Sequence, residues 1–305
     1  MTELKPEKFV ITGFSNEEAN RITRPTISYW QDAWRRLKKN PIAMISLAVI
    51  AFLAVMVIIG PSIRGMDYIS MDVLNKNISP NSTYWFGTDS LGRDLFSRVW
   101  VGARASMIIA LTATVLKLVV GTIYGAVMAH FGGWVDELMM RIIEVLNSLP
   151  YLLVTILIMM VLGNSLFALM VALSLTAWCS TARQVRGMIK QLKETEYVYA
   201  AEVLGAKPMW IILKHYVPNM IGILLLNAST AIPDFIFTEA GLSFLGIGLQ
   251  SPDISLGVLI SQGKATMDFY PYQLFFPCLI LCLIVLAFNL LGDGLRDALD
   301  PRLRQ

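Results

Sequence analysis

Few side chains in this 305-residue chain are spaced for covalent chemistry. The two histidines, His130 and His215, are far apart in sequence. Cys179, Cys278 and Cys282 lie in apolar runs without a CxxC pair, and no HExxH segment occurs. Such a set builds neither a zinc site nor a nucleophile–base couple. Gly257 to Ala265 reads GVLISQGKA, one residue too long for a phosphate loop and with Ala where a hydroxyl must meet Mg2+. No ATP site is therefore expected in this chain. What remains is polar groups strung through apolar runs. They are Asn147, Ser148 and Thr155, then Ser174, Thr176, Ser180 and Thr181, then Asn227, Ser229, Thr230 and Asp234, with Lys117 by itself. In hydrocarbon such groups must face protein or water. Walls of amides and hydroxyls exchange hydrogen bonds with a passing solute and leave it unchanged.

The elements that hold these groups follow from composition. Residues of the AVILMFWYC set make up 55%, and charged residues 15%, where about 25% is usual. This excludes a soluble enzyme, a disordered chain and a nucleic-acid binder. A helix needs about 20 apolar residues to cross a bilayer. Asn40 to Ile63 is free of charge, Ala105 to Ala129 carries only Lys117, and Val145 to Ala182 is uncharged for 38 residues. That last run is long enough for two spans, divided at Gly163-Asn164-Ser165. His215 to Pro233 and Phe269 to Gly292 complete the set. The expectation is an all-α, polytopic membrane protein with six transmembrane helices, so both termini share a side. Eighteen of the 25 Lys and Arg residues fall on that side and five on the other, which makes it the cytoplasm. The first residues, MTELKPEKFVITGFSNEE, lack the apolar core of a cleaved signal peptide.

The expected organisation runs as follows. Residues 1–41 form a cytoplasmic tail with an interfacial helix at 27–39, where Trp30, Trp34 and Leu37 share a face. The first span occupies 42–63 and an extracytoplasmic segment 64–102, in which Asp94 and Arg98 stand at i, i+4. A five-helix core follows at 103–292, then a cytoplasmic tail at 293–305. Within the core, the cytoplasmic stretch 183–216 has 34 residues, far more than a connection needs. Glu194 to Leu204 fits a short helix, Gly205 a C-cap, and Pro208 a stop. Ala200 and Ala201 let another surface approach closely, so this helix reads as a docking knob for a cytoplasmic partner. Gly121 and Gly125 form a GxxxG pair suited to close helix packing. Pro150, Pro233 and Pro277 are candidate kinks.

Tyr199-Ala200-Ala201-Glu202-Val203-Leu204-Gly205, followed by Val217-Pro218-Asn219, resembles the EAA loop of ABC-importer permeases, with Tyr199 where that pattern opens on Glu. Trp85-Phe86-Gly87-Thr88-Asp89-Ser90-Leu91-Gly92-Arg93-Asp94, continuing to Gly102-Ala103-Arg104-Ala105-Ser106, is similar to the FGTDxxGRD…GARxS signature of the peptide and nickel permeases. Glu239 to Gly246 and Gly292 to Pro301 resemble two further stretches of that family. The likeness is greatest to C-type subunits of oligopeptide permeases, with dipeptide permeases next. It implies the type I ABC-importer permease architecture. It implies that Tyr199, Ala200, Ala201, Glu202 and Gly205 couple to ATPase subunits. Implied partners are a homologous second permease, two cytoplasmic ATPases carrying ATP and Mg, and an extracytoplasmic peptide-binding protein. No cofactor, metal or nucleic acid is expected on this chain. The setting would be a bacterial plasma (inner) membrane.

The polar residues then acquire a role. Asn147 and Ser148 of span three, and Asn227, Thr230 and Asp234 of span five, are the candidate walls of a water-filled path between two subunits. Two other readings stand beside this one. An ion-coupled secondary transporter would want ionisable groups in the spans, where Lys117 and Asp234 qualify, and would leave 183–216 unexplained. A permease for nickel or another small solute would want His or Cys near the outer mouth, whereas His130 and His215 fall on the cytoplasmic side.

Overall fold

The computed structural model describes residues 29–250 and 253–299. The tail 1–28, residues 251–252 and the end of the C-terminal stretch at 300–305 lie outside the described residues. Ten helices carry the fold: α1 (Tyr29–Lys39), α2 (Pro41–Ile63), α3 (Leu95–Phe131), α4 (Gly133–Ser148), α5 (Tyr151–Leu162), α6 (Leu166–Lys193), α7 (Glu196–Val203), α8 (Pro208–Phe244), α9 (Leu256–Thr266) and α10 (Tyr272–Leu299). No strand occurs among the described residues, only an isolated bridge between Thr88 and Asp94.

Five helices, α2, α3, α6, α8 and α10, are long and apolar enough to cross a membrane. The third expected span differs. It is a pair, α4 and α5, bent by 84° at Leu149-Pro150. Proline lacks the N–H that would continue the helix and forces the preceding residue into extended geometry, here φ −84° and ψ 134° at Leu149. The count of six therefore holds only if the bent pair is one span. Pro233 and Pro277, in contrast, sit inside unbroken helices. The fifth span also runs on past Pro233 to Phe244, which puts Asp234 within the helix rather than just beyond it. Much of the 34-residue stretch 183–216 is helical. α6 continues to Lys193 because Val185 and Ile189 keep an apolar face buried there, and α8 begins at Pro208 through a π turn at Ile212–Tyr216.

α3 organises the bundle. Its 37 residues rise about 55 Å, well beyond the ~30 Å hydrocarbon layer. Along its middle it meets α6 with almost no side-chain spacer. A Cβ at Gly121 would lie 2.6 Å from the Thr181 Cβ, and one at Gly125 would collide with the Ala182 carbonyl. The GxxxG pair thus packs as its spacing suggests. The main core gathers side chains from α2, α3, α5, α6, α8, α9 and α10, among them Leu53, Trp100, Met159, Leu169, Ile236 and Ile284. At the Phe131 end, Leu37 of α1, Ala43 of α2 and Ala298 of α10 pack together. The first described helix and the C-terminal end of the last therefore meet.

The Leu95 end is closed by a charged clasp. Asp89 accepts the backbone N–H groups of Leu91 and Arg93, both at 2.9 Å, and the Arg93 Nε at 2.7 Å. The Arg98 Nε lies 3.4 Å from the same carboxylate. Arg98, 1% exposed, also donates to the Tyr68 carbonyl and to Gln262, each at 3.3 Å. The expected Asp94–Arg98 pair does not form. Asp94 is the N-cap of α3, and its carboxylate turns to the Ser97 N–H at 2.9 Å and hydroxyl at 2.7 Å. Gly92 takes φ +79°, and a Cβ there would collide with the Asp72 carbonyl. Thr88 links the clasp to α10, its carbonyl accepting from Tyr272 at 3.1 Å and Gln273 at 2.9 Å. Arg104 closes a second gap. Pro61 leaves the Val57 carbonyl without its helical donor, and the Arg104 guanidinium bonds the carbonyls of Val57 and Ile58, both at 2.9 Å.

Candidate coupling helix and transport path

The helix α7 stands out from the bundle. The short helix expected over Glu194 to Leu204 forms over Glu196–Val203, EYVYAAEV, about two turns, and Val198 is its one buried residue. That valine enters a small core with Ala126 and Ala129 of α3, Val185 and Ile189 of α6, and Tyr216 and Met220 of α8. The C-terminus is closed by a double bond pattern. The Gly205 N–H donates to the Glu202 carbonyl and the Ala206 N–H to the Ala201 carbonyl, each at 3.0 Å. This is the Schellman arrangement, and it requires the left-handed φ of +76° that Gly205 adopts. Tyr199, Ala200, Glu202 and Gly205 are exposed, and Ala201 is half-buried. Around them Val203, Leu204, Met209, Trp210 and Leu213 are exposed as well, Leu204 at 87%. The result is an apolar knob on a polar end of the molecule.

The knob rests on charged supports that sequence spacing does not reveal. Asp136 of α4 binds Arg186 through both carboxylate oxygens and Lys190 at 2.9 Å, which fastens α4 to the extension of α6. Lys193 donates to the His130 carbonyl at 3.0 Å, at the end of α3. Within α4 the Arg141–Glu144 pair forms at 2.7 Å, as its i, i+3 spacing suggests. α3, α4, α6 and α8 thus all reach the seat of α7.

The polar residues of the spans fall into two groups. Asn227, Thr230 and Asp234 follow one another at helical spacing along α8, and Phe237, Gly241 and Phe244 continue the same exposed stripe. Asn227 is half-buried and donates to Gln184 of α6 at 2.8 Å. It shares with Ser229, Thr230, Asp293 and Arg296 a recess of about 330 Å3 that Ile223 and Leu226 also line. Lys117 of α3 reaches toward the same helix, its Nζ 5.9 Å from the Phe235 ring centre, and interacts electrostatically with Asp234. Asn147 and Ser148 are exposed, but they stand on α4 beside the Pro150 corner and do not line that recess. Thr155, Ser174 and Ser229 bond to carbonyls three or four residues back in their own helices and are buried. The residues missed by sequence reasoning are Asp136, Arg186, Arg104 and Glu239, whose partners lie far away along the chain.

Known proteins match this layout. Residues 118–305, more than half of the chain, match the family model described as binding-protein-dependent transport system inner membrane component. The chain belongs to that family. Residues 28–80 of this permease match a second model, the N-terminal TM domain of oligopeptide transport permease C. The permease is 45% identical to the dipeptide transport system permease protein DppC of Bacillus subtilis, over 99% of this chain and 95% of that protein. It is 44% identical to the oligopeptide transport system permease protein OppC of the same organism, over 94% of each. With OppC of Escherichia coli K12 the identity is 41%, over 90% of this chain and 92% of that one. In structure it resembles the inward-facing MetNI methionine ABC transporter, with a TM-score of 0.52 at 18% identity, over 65% of this chain and 96% of that one. The likeness extends to the fold. This permease is a non-catalytic membrane component of a transport system.

Proposed function

We propose that this permease is one of two homologous membrane subunits of an ATP-driven importer for oligopeptides or dipeptides. It lies in a bacterial plasma (inner) membrane with both termini in the cytoplasm. Two ATPase subunits carry ATP and Mg and grip α7 through Tyr199, Ala200, Ala201, Glu202 and Gly205. An extracytoplasmic peptide-binding protein delivers the solute to the opposite end, that of the clasp. The path runs between the two permeases along the α8 stripe, with Asn227, Thr230 and Asp234 on its wall and Asn147 and Ser148 at the Pro150 corner. The observation that carries this reading is α7 itself. A helix held by one buried valine, capped by a left-handed glycine and ringed by exposed apolar side chains is built to be covered by another protein. The relatives' names supply the peptide class, and the 18-to-5 division of basic residues supplies the orientation.

The test is purification in mild detergent followed by mass spectrometry and reconstitution. The expected result is one homologous permease, two ATPases and an extracytoplasmic receptor, with ATP-dependent uptake of short peptides in proteoliposomes. Uptake by this chain alone would overturn the proposal. Asp234→Asn is expected to slow cationic peptides more than neutral ones. Equal rates across peptide charge would remove Asp234 from the wall.

A further inference from the structure

One buried acid belongs to neither the stripe nor the knob. Glu239 lies on α8 little more than one turn beyond Asp234, on the opposite face, with 0% exposure. Among the described residues no Lys or Arg is paired with it. Serines surround it instead. The Ser106 hydroxyl of α3 donates to one carboxylate oxygen at 2.7 Å, and the Ser243 hydroxyl of α8 to the other at 2.8 Å. Ser106 in turn accepts the Leu256 N–H at 3.3 Å. Ser255, the N-cap of α9, accepts the Val258 N–H at 3.2 Å and sits 3.4 Å from the Ser243 oxygen. The Ser255 hydroxyl is also within hydrogen-bonding reach of Glu239 itself, so it joins the same cluster.

The directions of these bonds agree. Leu256 and Val258 are in the first turn of α9, where backbone N–H groups have no partner within the helix. Two relays carry them, through Ser106 and through Ser255 and Ser243, to one carboxylate. A helix N-terminus is the positive end of its dipole, and a carboxylate is its natural counterpart. The backbones are also in close contact, since a Cβ at Gly257 would lie 2.5 Å from the Ala240 Cα. Further along α9, Lys264 stands 4.4 Å from the Phe244 ring centre, and the Ser261 hydroxyl donates to the Phe244 carbonyl at 3.4 Å. Phe244 is the last residue of the exposed α8 stripe. α9 is therefore the end wall of that stripe, and Glu239 is what its N-terminus is tied to.

We propose that Glu239 is a positioning residue that sets α9 across the mouth of the α8 stripe and fixes Lys264 there. The transport part of this inference rests on the stripe being the path. The experiment uses the complete transporter with a nitroxide label at Lys264→Cys, after replacement of Cys179, Cys278 and Cys282 by Ala. Glu239→Gln leaves a single acceptor oxygen, and Ser106→Ala cuts one relay while keeping the acid. In each, the label is expected to gain a mobile spectral component. The maximal uptake rate is expected to fall about five-fold or more, with the half-saturating concentration of receptor-bound peptide unchanged. Unaltered spectra in both variants would overturn the positioning role of Glu239, whatever happens to uptake. Mobile labels with full uptake would uphold the positioning role of Glu239 and overturn the path along α8.

Discussion

The two ends of α3 are fastened by different means. At the Leu95 end, Asp89 and Asp94 bind Arg93, Arg98, Ser97 and the local backbone inside a nearly water-free network. At the Phe131 end, Val198 is the one fully buried residue of α7, Ala201 is half-buried, Tyr197 meets Asn219 and His215, and the other side chains of the helix are exposed. Removing one partner of a buried ion network leaves an uncompensated charge, so the clasp resists change in any single part. A helix seated mainly by one aliphatic side chain opens locally without disturbing the core. The difference separates a fixed frame from a compliant contact, and the compliant contact carries the EAA-like residues.

This contrast breaks first at the clasp. Asp89→Ala strands two arginines, and its expected cost is about 3–5 kcal/mol. It should appear as a large drop in melting temperature and in the yield of assembled complex. A melting point within a degree of wild type would show that the network is not structural. The two left-handed glycines offer a matched pair. Gly92→Ala meets both the φ penalty and the Asp72 carbonyl, and should destabilise by several times the ~1–2 kcal/mol expected of the conformation alone. At Gly205 a Cβ meets nothing within 4 Å, so Gly205→Ala should cost only that conformational amount. Melting curves of the two variants side by side decide it, and equal shifts would contradict the close approach at Gly92.

Val198→Ala sharpens the comparison on the compliant side. Lost burial and the cavity left behind are expected to cost about 2 kcal/mol. The cost should register as faster hydrogen exchange at 196–205 with little change in global melting, and as reduced uptake. A global melting temperature lowered in proportion to that cost would mean instead that α7 is part of the core. The smallest stability effect belongs to Leu204→Ser, within about 0.5 kcal/mol because the side chain is exposed. Its expected consequence is poorer co-purification of the ATPase subunits. Undiminished recovery of those subunits would shift the contact elsewhere on the knob.

Much of the fold was legible because hydrocarbon imposes length and polarity on every crossing. The spans, the turn at Gly163, the glycine seam of α3 and the cap at Gly205 all rest on local rules. In the third span Pro150 marked the place of the bend, but an uncharged run records no angle, and the 84° depends on what Pro150 does to Leu149. The end of the fifth span was misjudged because proline is tolerated in a helix that neighbours support. Asp94 was paired with Arg98 by spacing, although an N-cap side chain points at the start of its helix rather than down its face. Glu239 and Ser106 are 133 residues apart, and Arg104 answers Pro61 through carbonyls 46 and 47 residues away. Such bonds have no period to read. Of the site residues, the knob was readable from its cap and small side chains, whereas the separation of Asn147 and Ser148 from the α8 recess needed the bend.

The corner at Leu149-Pro150 has a further implication for the surrounding lipid. α5 has 12 residues and rises about 18 Å, so with Leu162 at one boundary the corner is submerged well inside a 30 Å layer. Exposed there are Asn147, Ser148 and a stretch of backbone between two helices. Acyl chains offer these groups no hydrogen bonds, and annular lipid would have to thin or admit water around them. On the proposed arrangement of two permeases, a lone copy in a bilayer is mismatched at that flank, and the second membrane subunit relieves the mismatch by taking the place of the lipid.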